Sequence, residues 1–225
     1  MADLAETLRT DGAVRLGGLI HDRLEDWKAA TQAFFDLGKP GHRIAACPPL
    51  AELTEDITRT PKFESAAGSG WRCVRAIAFN KTPDANWGLG WHQDRTIAVA
   101  RREEAPGFDV WSSKDGLTHV EPPFALLESM VTLRVHLDAV DESNAPLLVA
   151  RGSHRLGKVA ESAIARVVDA SEILASHAEA GDGWLYATPV IHASARSTSD
   201  RSRRVIHLDF SREALPKPLE WAGIA

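Results

Sequence analysis

Three residues constrain this chain more than any others: His92 and Asp94, in the run Trp91-His92-Gln93-Asp94, and the distant His192. Residues i and i+2 of an extended segment point to the same face, so His92 and Asp94 can grip one ion while Gln93 turns away. Two imidazoles and one carboxylate on one side of an ion, with the other side open, are the ligand set of non-haem ferrous sites. His192 lies a hundred positions after His92. It completes the set only in a fold that brings a late segment back beside an early one.

Local patterns suit such a fold. Ala13 to Leu16 reads as a short strand after an Asp11-Gly12 turn. Leu24, Trp27, Thr31, Phe34 and Phe35 recur at helical spacing, with Asp22, Arg23, Asp26 and Lys28 opposite, and Gly38-Lys39-Pro40-Gly41 ends that helix. A further short helix is expected near Leu50 to Ile57. From Trp71 the period becomes that of strands. CVRAIAFN sets Val74, Ala76 and Ala78 on one face and Arg75, Ile77 and Phe79 on the other. MVTLRVHLDAV sets Val131, Leu133, Val135 and Leu137 against Thr132, Arg134, His136 and Asp138.

Further strands are expected at PLLVA, Ser176 to Ala180, Trp184 to Thr188 and Arg203 to Phe210, with turns at Asp141 to Ala145 and Gly181-Asp182-Gly183. Residues 159–168 suit a short helix. Residues 101–118, rich in charge, Gly and Trp, read as a long irregular insertion of the kind that forms lids and binding loops. No strand–helix–strand alternation appears, which speaks against a doubly wound fold. The expected fold is mainly β with flanking helices, a sandwich or barrel backed by its helical N-terminal part.

Composition narrows the function classes. The net charge of -5 leaves no basic excess to neutralise phosphates, so no nucleic-acid partner is expected. Cys47 and Cys73 make no disulfide framework and suit a reducing compartment. MADLAETLRT carries acids and no apolar core, and no apolar run reaches membrane-spanning length. The expectation is a single domain of 225 residues, cytoplasmic, with no membrane partner.

The motifs WHQD, NAPLLVARGSHRLG and GDGWLYATPVIHASARSTSDRSRR, in that order, resemble the signatures of the phytanoyl-CoA dioxygenase family. The resemblance runs from about Trp71 to Phe210, and the strand-then-helix opening from Ala13 to Phe35 is similar as well. It implies a double-stranded β-helix, a cupin-like jelly roll, over about 71–212, with strand and helices of about 1–60 packed on one sheet. It implies Fe(II), O2 and 2-oxoglutarate as cofactors and cosubstrate. The implied reaction hydroxylates a small organic substrate and releases succinate and CO2. His92, Asp94 and His192 match the iron ligands. Arg203, eleven positions after His192, matches the residue that takes the far carboxylate of 2-oxoglutarate. Ser194 would help hold the same cosubstrate, and Lys81 would supply another contact. Related halogenating enzymes carry a small residue in place of the carboxylate, so Asp94 implies hydroxylation. Asn144-Ala145 and Arg151-Gly152-Ser153-His154 depart from the family's Asn-Gly and Pro-Gly-Ser-His, which alters loop geometry.

Arg203 has an argument of its own. In RRVIHLDF, Arg203, Val205, His207 and Asp209 share one face, and Arg204, Ile206, Leu208 and Phe210 the other. If the apolar face packs on the helices, Arg203 points inward, where a guanidinium pairs a carboxylate bidentately. The opposite register puts Arg204 there instead. Arg134 and His136 could line the pocket or meet solvent, and His207 could be a site or a core residue. Trp87, Trp91 and Trp111 flank the expected mouth, where Lys114 and Arg95 could meet an anionic substrate. His21, His42, His154 and His177 read as surface or turn residues, and Arg196 and Arg201 as solvated. Two other readings compete: a cupin-like metalloprotein whose chemistry needs no keto acid, and a non-catalytic sensor or binding module. The first needs no carboxylate-binding arginine. The second needs no half-open metal site.

Overall fold

The computed structural model describes residues 3–224. Its elements are α1 (Leu4–Asp11), β1 (Ala13–Leu16), α2 (Leu24–Phe35), β2 (Gly41–Ile44), α3 (Pro48–Thr58), α4 (Pro61–Ala67), β3 (Arg72–Lys81), β4 (Leu89–His92), β5 (Ile97–Val99), β6 (Asp109–Lys114), β7 (Leu117–Glu121), α5 (Phe124–Glu128), β8 (Val131–His136), β9 (Leu147–Ala150), α6 (Glu161–Asp169), β10 (Ile173–Ala175), β11 (Gly183–Ala187), β12 (His192–Ser194) and β13 (Arg203–Ser211). A six-stranded sheet runs β1-β11-β8-β13-β3-β2, a four-stranded sheet β10-β9-β12-β4, and a three-stranded sheet β5-β7-β6. Neighbouring strands pair antiparallel throughout. The two larger sheets meet face to face through Ala13, Trp184 and Tyr186 from one and Leu147 and Val149 from the other. This is the jelly roll that the resemblance implies.

Strand alternation decides what each face of the six-stranded sheet does. Leu133, Val135, Ile206 and Leu208 point out to Trp27, Leu50, Leu53 and Phe63 of α2, α3 and α4. Trp27 and Phe63 are 1% and 0% exposed. Truncating either to Ala costs about 3–5 kcal/mol, because the lost transfer energy adds to the cavity left behind. The other face carries Arg75, Thr132, Arg134, Arg203, His207 and Asp209 into the space between the sheets, and all six are buried. Local signals set the helix bounds. Asp3 accepts from the N–H groups of Ala5 and Glu6, and Gly12, at φ 80°, ends α1. Pro48 and Pro49 open α3, where no N–H is needed.

The structure corrects several expectations. Residues 101–118 are not an irregular insertion throughout: β6 and β7 form a hairpin across Lys114-Asp115-Gly116-Leu117. Asp115 and Gly116 both have positive φ, 51° and 80°, the backbone of a two-residue turn for which Asp-Gly is the sequence signal. Ser176–Ala180 is not a strand; the chain pairs at Ile173–Ala175, and only Ala178 makes an isolated bridge to Val140. Leu174 packs against the core between the sheets and Ile173 pairs with Ala150, whereas of SHAEA only Ala178 joins that core. The N-terminal part does more than pack on the sheet, since β1 and β2 are its two edge strands. Ala145, where the resemblance implies glycine, has a left-handed backbone, φ 59° and ψ 69°.

Candidate active site

His192 meets His92 because β12 lies beside β4 with these two residues directly paired. The ring centroids are 4.3 Å apart. Asp94 follows β4 by two residues, outside the strand, and its Oδ2 lies 4.0 Å from His192 Nε2. One donor atom from each of the three lies within 4.8 Å of the others, so the residues written far apart converge. The imidazoles are oriented alike. His92 Nδ1 sits 2.8 Å from the Gly90 carbonyl and His192 Nδ1 2.9 Å from the Val190 carbonyl. A carbonyl only accepts, so each Nδ1 carries its proton and each Nε2 keeps its lone pair for an ion.

Burial above all pulls the His192 pKa down to about 4, which keeps the ring neutral. Burial pushes Asp94 the other way, but neighbouring positive charge, from His192 when it is protonated and from Arg75, outweighs it and holds the carboxyl below its ordinary range. His192 is therefore a neutral imidazole and Asp94 a carboxylate, the forms in which they can hold a divalent metal.

Gln93 has a task that sequence reasoning left out. It is 4% exposed, and its amide donates to the carbonyls of Gly157 and Pro189 at 3.0 and 2.8 Å. Its carbonyl accepts from the Val159 N–H at 2.9 Å. These bonds anchor the segment between His92 and Asp94. The floor of the site is a second network. Arg75 reaches Asp209 at 2.5 Å and the Thr96 carbonyl at 3.1 Å. Asp209 also accepts from Thr132 at 2.8 Å and lies 3.1 Å from His207 Nε2. Burial opposes ionisation of Asp209, yet Arg75 and His207 hold it far below the usual carboxylate range. Strand register builds this group, since Asp209 pairs with Arg75 on one side and Thr132 on the other. The signal for it was a charged residue on the inner face of each strand.

A cavity of about 410 Å³ opens over the triad. Arg203 lines it, 3% exposed, with Nη1 donating to the Ala145 carbonyl. Arg204 lies on the outer side, paired with Asp138 at 2.8 Å. Asp138 thus leaves the inner face expected for it, because β8 ends at His136. Lys81 pairs directly with Arg203 across the strands. Its ammonium, buried behind the cavity wall, donates to Ser194 Oγ at 3.2 Å and to the Ala195 carbonyl at 2.5 Å. Burial, then Arg203 and Arg134, brings the Lys81 pKa down to about 7.

Ser194, Arg134 and His207 also line the cavity, whereas His136 is buried beside them. Of the three tryptophans expected at the mouth only Trp87 is there. Trp91 packs with Ile164 and Val167 of α6, and Trp111 with the cluster around β5 and β7. Lys114 reaches the mouth from the hairpin, but Arg95 turns away to the Val159 carbonyl. A separate hollow of about 550 Å³, lined by Thr54, Glu55, Trp71 and Cys73 among others, holds none of the triad.

A jelly roll with a His-Asp-His cluster between its sheets and a buried guanidinium facing it is the architecture of non-haem iron oxygenases that use 2-oxoglutarate. The chain belongs to the phytanoyl-CoA dioxygenase (PhyH) family, whose model matches residues 9–205. A comparison with curated protein sequences found no match. Three solved structures share the fold at low identity. SnoK, described as a non-heme alpha ketoglutarate dependent carbocyclase from nogalamycin biosynthesis, superposes with a TM-score of 0.67 at 16% identity, over 93% of this chain and 83% of its own. HygX from Streptomyces hygroscopicus, solved with nickel and 2-oxoglutarate bound, gives 0.62 at 16%, over 94% and 86%. EvdMO1 gives 0.65 at 17% over 93% of this chain, which spans only 50% of that protein. Family membership makes the protein an Fe(II)/2-oxoglutarate-dependent oxygenase and does not favour a cupin-type chemistry without keto acid. No helix among the described residues is long and apolar enough to cross a membrane.

Proposed function

We propose that this chain works as a single-domain oxygenase in which His92, Asp94 and His192 hold the iron and Arg203 anchors 2-oxoglutarate, to hydroxylate a small organic substrate. The observation that carries the proposal is the juxtaposition of the triad with Arg203, a buried cation on the cavity wall for which no carboxylate partner is found among the described residues. A chelated keto diacid supplies the missing anion. Ferrous iron held there supplies O2 activation coupled to oxidative decarboxylation of the keto acid. The chain's own part is to hold and to shield. Arg203 fixes the far carboxylate, Ser194 and Lys81 bound the same end, and Trp87, Phe79 and Leu89 keep water from the reacting face. A cavity of about 410 Å³ lies low in the range of about 300–1,000 Å³ for small-molecule sites, which supports a small substrate.

Outcomes other than hydroxylation occur on this fold, as the carbocyclase description of SnoK states for that protein. Asp94 and the open cavity above it support hydroxylation here. The test is succinate release that requires iron, 2-oxoglutarate and O2 and is stimulated by candidate substrates. Iron-loaded protein that does not bind 2-oxoglutarate refutes the proposal.

A further inference from the structure

The cavity carries more positive charge than the cosubstrate can use. Arg43, Arg75, Lys114, Arg134 and Arg203 line it. Asp209 neutralises Arg75 at 2.5 Å, and Asp115 faces Arg43 at 3.4 Å. On the reading above, ferrous iron is balanced by Asp94 and one carboxylate of 2-oxoglutarate, and the other carboxylate is matched to Arg203. Arg134 and Lys114 remain, and neither has an ion-pair partner among the described residues. Arg134 is the telling one. It is 6% exposed, its Nε has no hydrogen-bond partner, and it lines the cavity. Its neighbours across the sheet are His207 and Trp184, neither an acid, its guanidinium lies 5.5 Å from the Phe79 ring centre, and the Tyr186 hydroxyl that meets it carries no charge. Burying a guanidinium without an anion is costly, and a fold that sets one in an open cavity has left a place for a ligand charge.

We infer that the substrate is itself an anion, a carboxylate or a similarly compact oxyanion, drawn in past Lys114 and seated against Arg134. The planar guanidinium pairs such a group bidentately, and the lysine at the mouth acts as a steering point charge. Ile77, Phe79 and Trp87 give the rest of the molecule an apolar wall. This inference rests on the proposed function.

The test titrates anaerobic iron- and 2-oxoglutarate-loaded protein by calorimetry with short monocarboxylic acids and with their primary amides. The acids are expected to bind at least about tenfold more tightly than the amides. Arg134→Gln should erase that preference and leave 2-oxoglutarate affinity within about threefold. Arg134→Lys keeps the charge and should recover part of the preference, which covers the case in which the glutamine variant fails to fold. Equal binding of acids and amides, no binding of either, or an Arg134→Gln variant that loses 2-oxoglutarate instead overturns the inference. Failure of the wild-type protein to bind 2-oxoglutarate, visible before any acid is added, overturns the proposed function and this inference with it.

Discussion

Arg203 and Arg204 stand next to each other in sequence on opposite faces of one strand, and this pair allows a sharp experiment. Arg203→Gln removes a guanidinium that is 3% exposed and lines the cavity. Arg204→Gln removes one whose partner, Asp138, shares the outer surface at 24–25% exposure. Truncating one side of a buried charge pair costs about 2–5 kcal/mol of binding. A middle value of about 3 kcal/mol corresponds to about 150-fold weaker binding of 2-oxoglutarate. The apo protein should tolerate the same change. Arg203 donates to the Ala145 carbonyl, but its charge is unmatched and burial pulls its pKa down. Loss of the hydrogen bond and relief of the buried charge oppose each other, so stability should stay within about 1 kcal/mol. Arg204→Gln should cost up to about 1 kcal/mol of stability and leave 2-oxoglutarate binding unchanged. The assay is titration of anaerobic ferrous protein, followed by the visible absorption of the keto-acid chelate, beside urea unfolding. Retention of 2-oxoglutarate affinity within about threefold by Arg203→Gln, or loss of it in Arg204→Gln, would falsify the assignment.

Three further outcomes are expected. Asp94→Ala should weaken ferrous iron binding by at least about a hundredfold in equilibrium dialysis, since only two neutral imidazoles remain; unchanged uptake contradicts the triad. Ala145→Gly should raise the free energy of unfolding by urea by about 0.5–1 kcal/mol, because alanine at φ 59° is strained where glycine is not; a destabilised variant shows that the turn tolerates its side chain. Lys81 titrates near 7 when folded against an ordinary 10.5, so in that window the unfolded chain binds the extra proton and stability rises with pH. Urea midpoints of the ligand-free protein should therefore climb from neutral to alkaline pH, and saturating 2-oxoglutarate, which favours charged Lys81, should flatten the climb. A flat ligand-free profile refutes the assignment.

Much of the site was legible in the written order because periodicity fixes facing. The alternation in MVTLRVHLDAV and RRVIHLDF already separates Leu133, Val135, Ile206 and Leu208 from Arg134, Arg203 and His207, and burial follows that division. The spacing of His92 and Asp94 carried their shared direction, though Asp94 falls outside β4 and depends on the bonds of Gln93. Asp115-Gly116 held the hairpin signal, hidden by the charged and glycine-rich composition around it.

What the sequence determined by itself was the donor set, the faces of the long strands and the family to which they belong. Tertiary structure alone decided which residues meet. The pairing of β12 with β4 brings His192 to His92, and the hairpin brings Lys114 to the mouth while Trp91, Trp111 and Arg95 pack elsewhere. Facing is a local property, set by the backbone repeat within a few residues. Convergence and the balance of buried charge depend on partners far along the chain, and only the folded register brings them into one space.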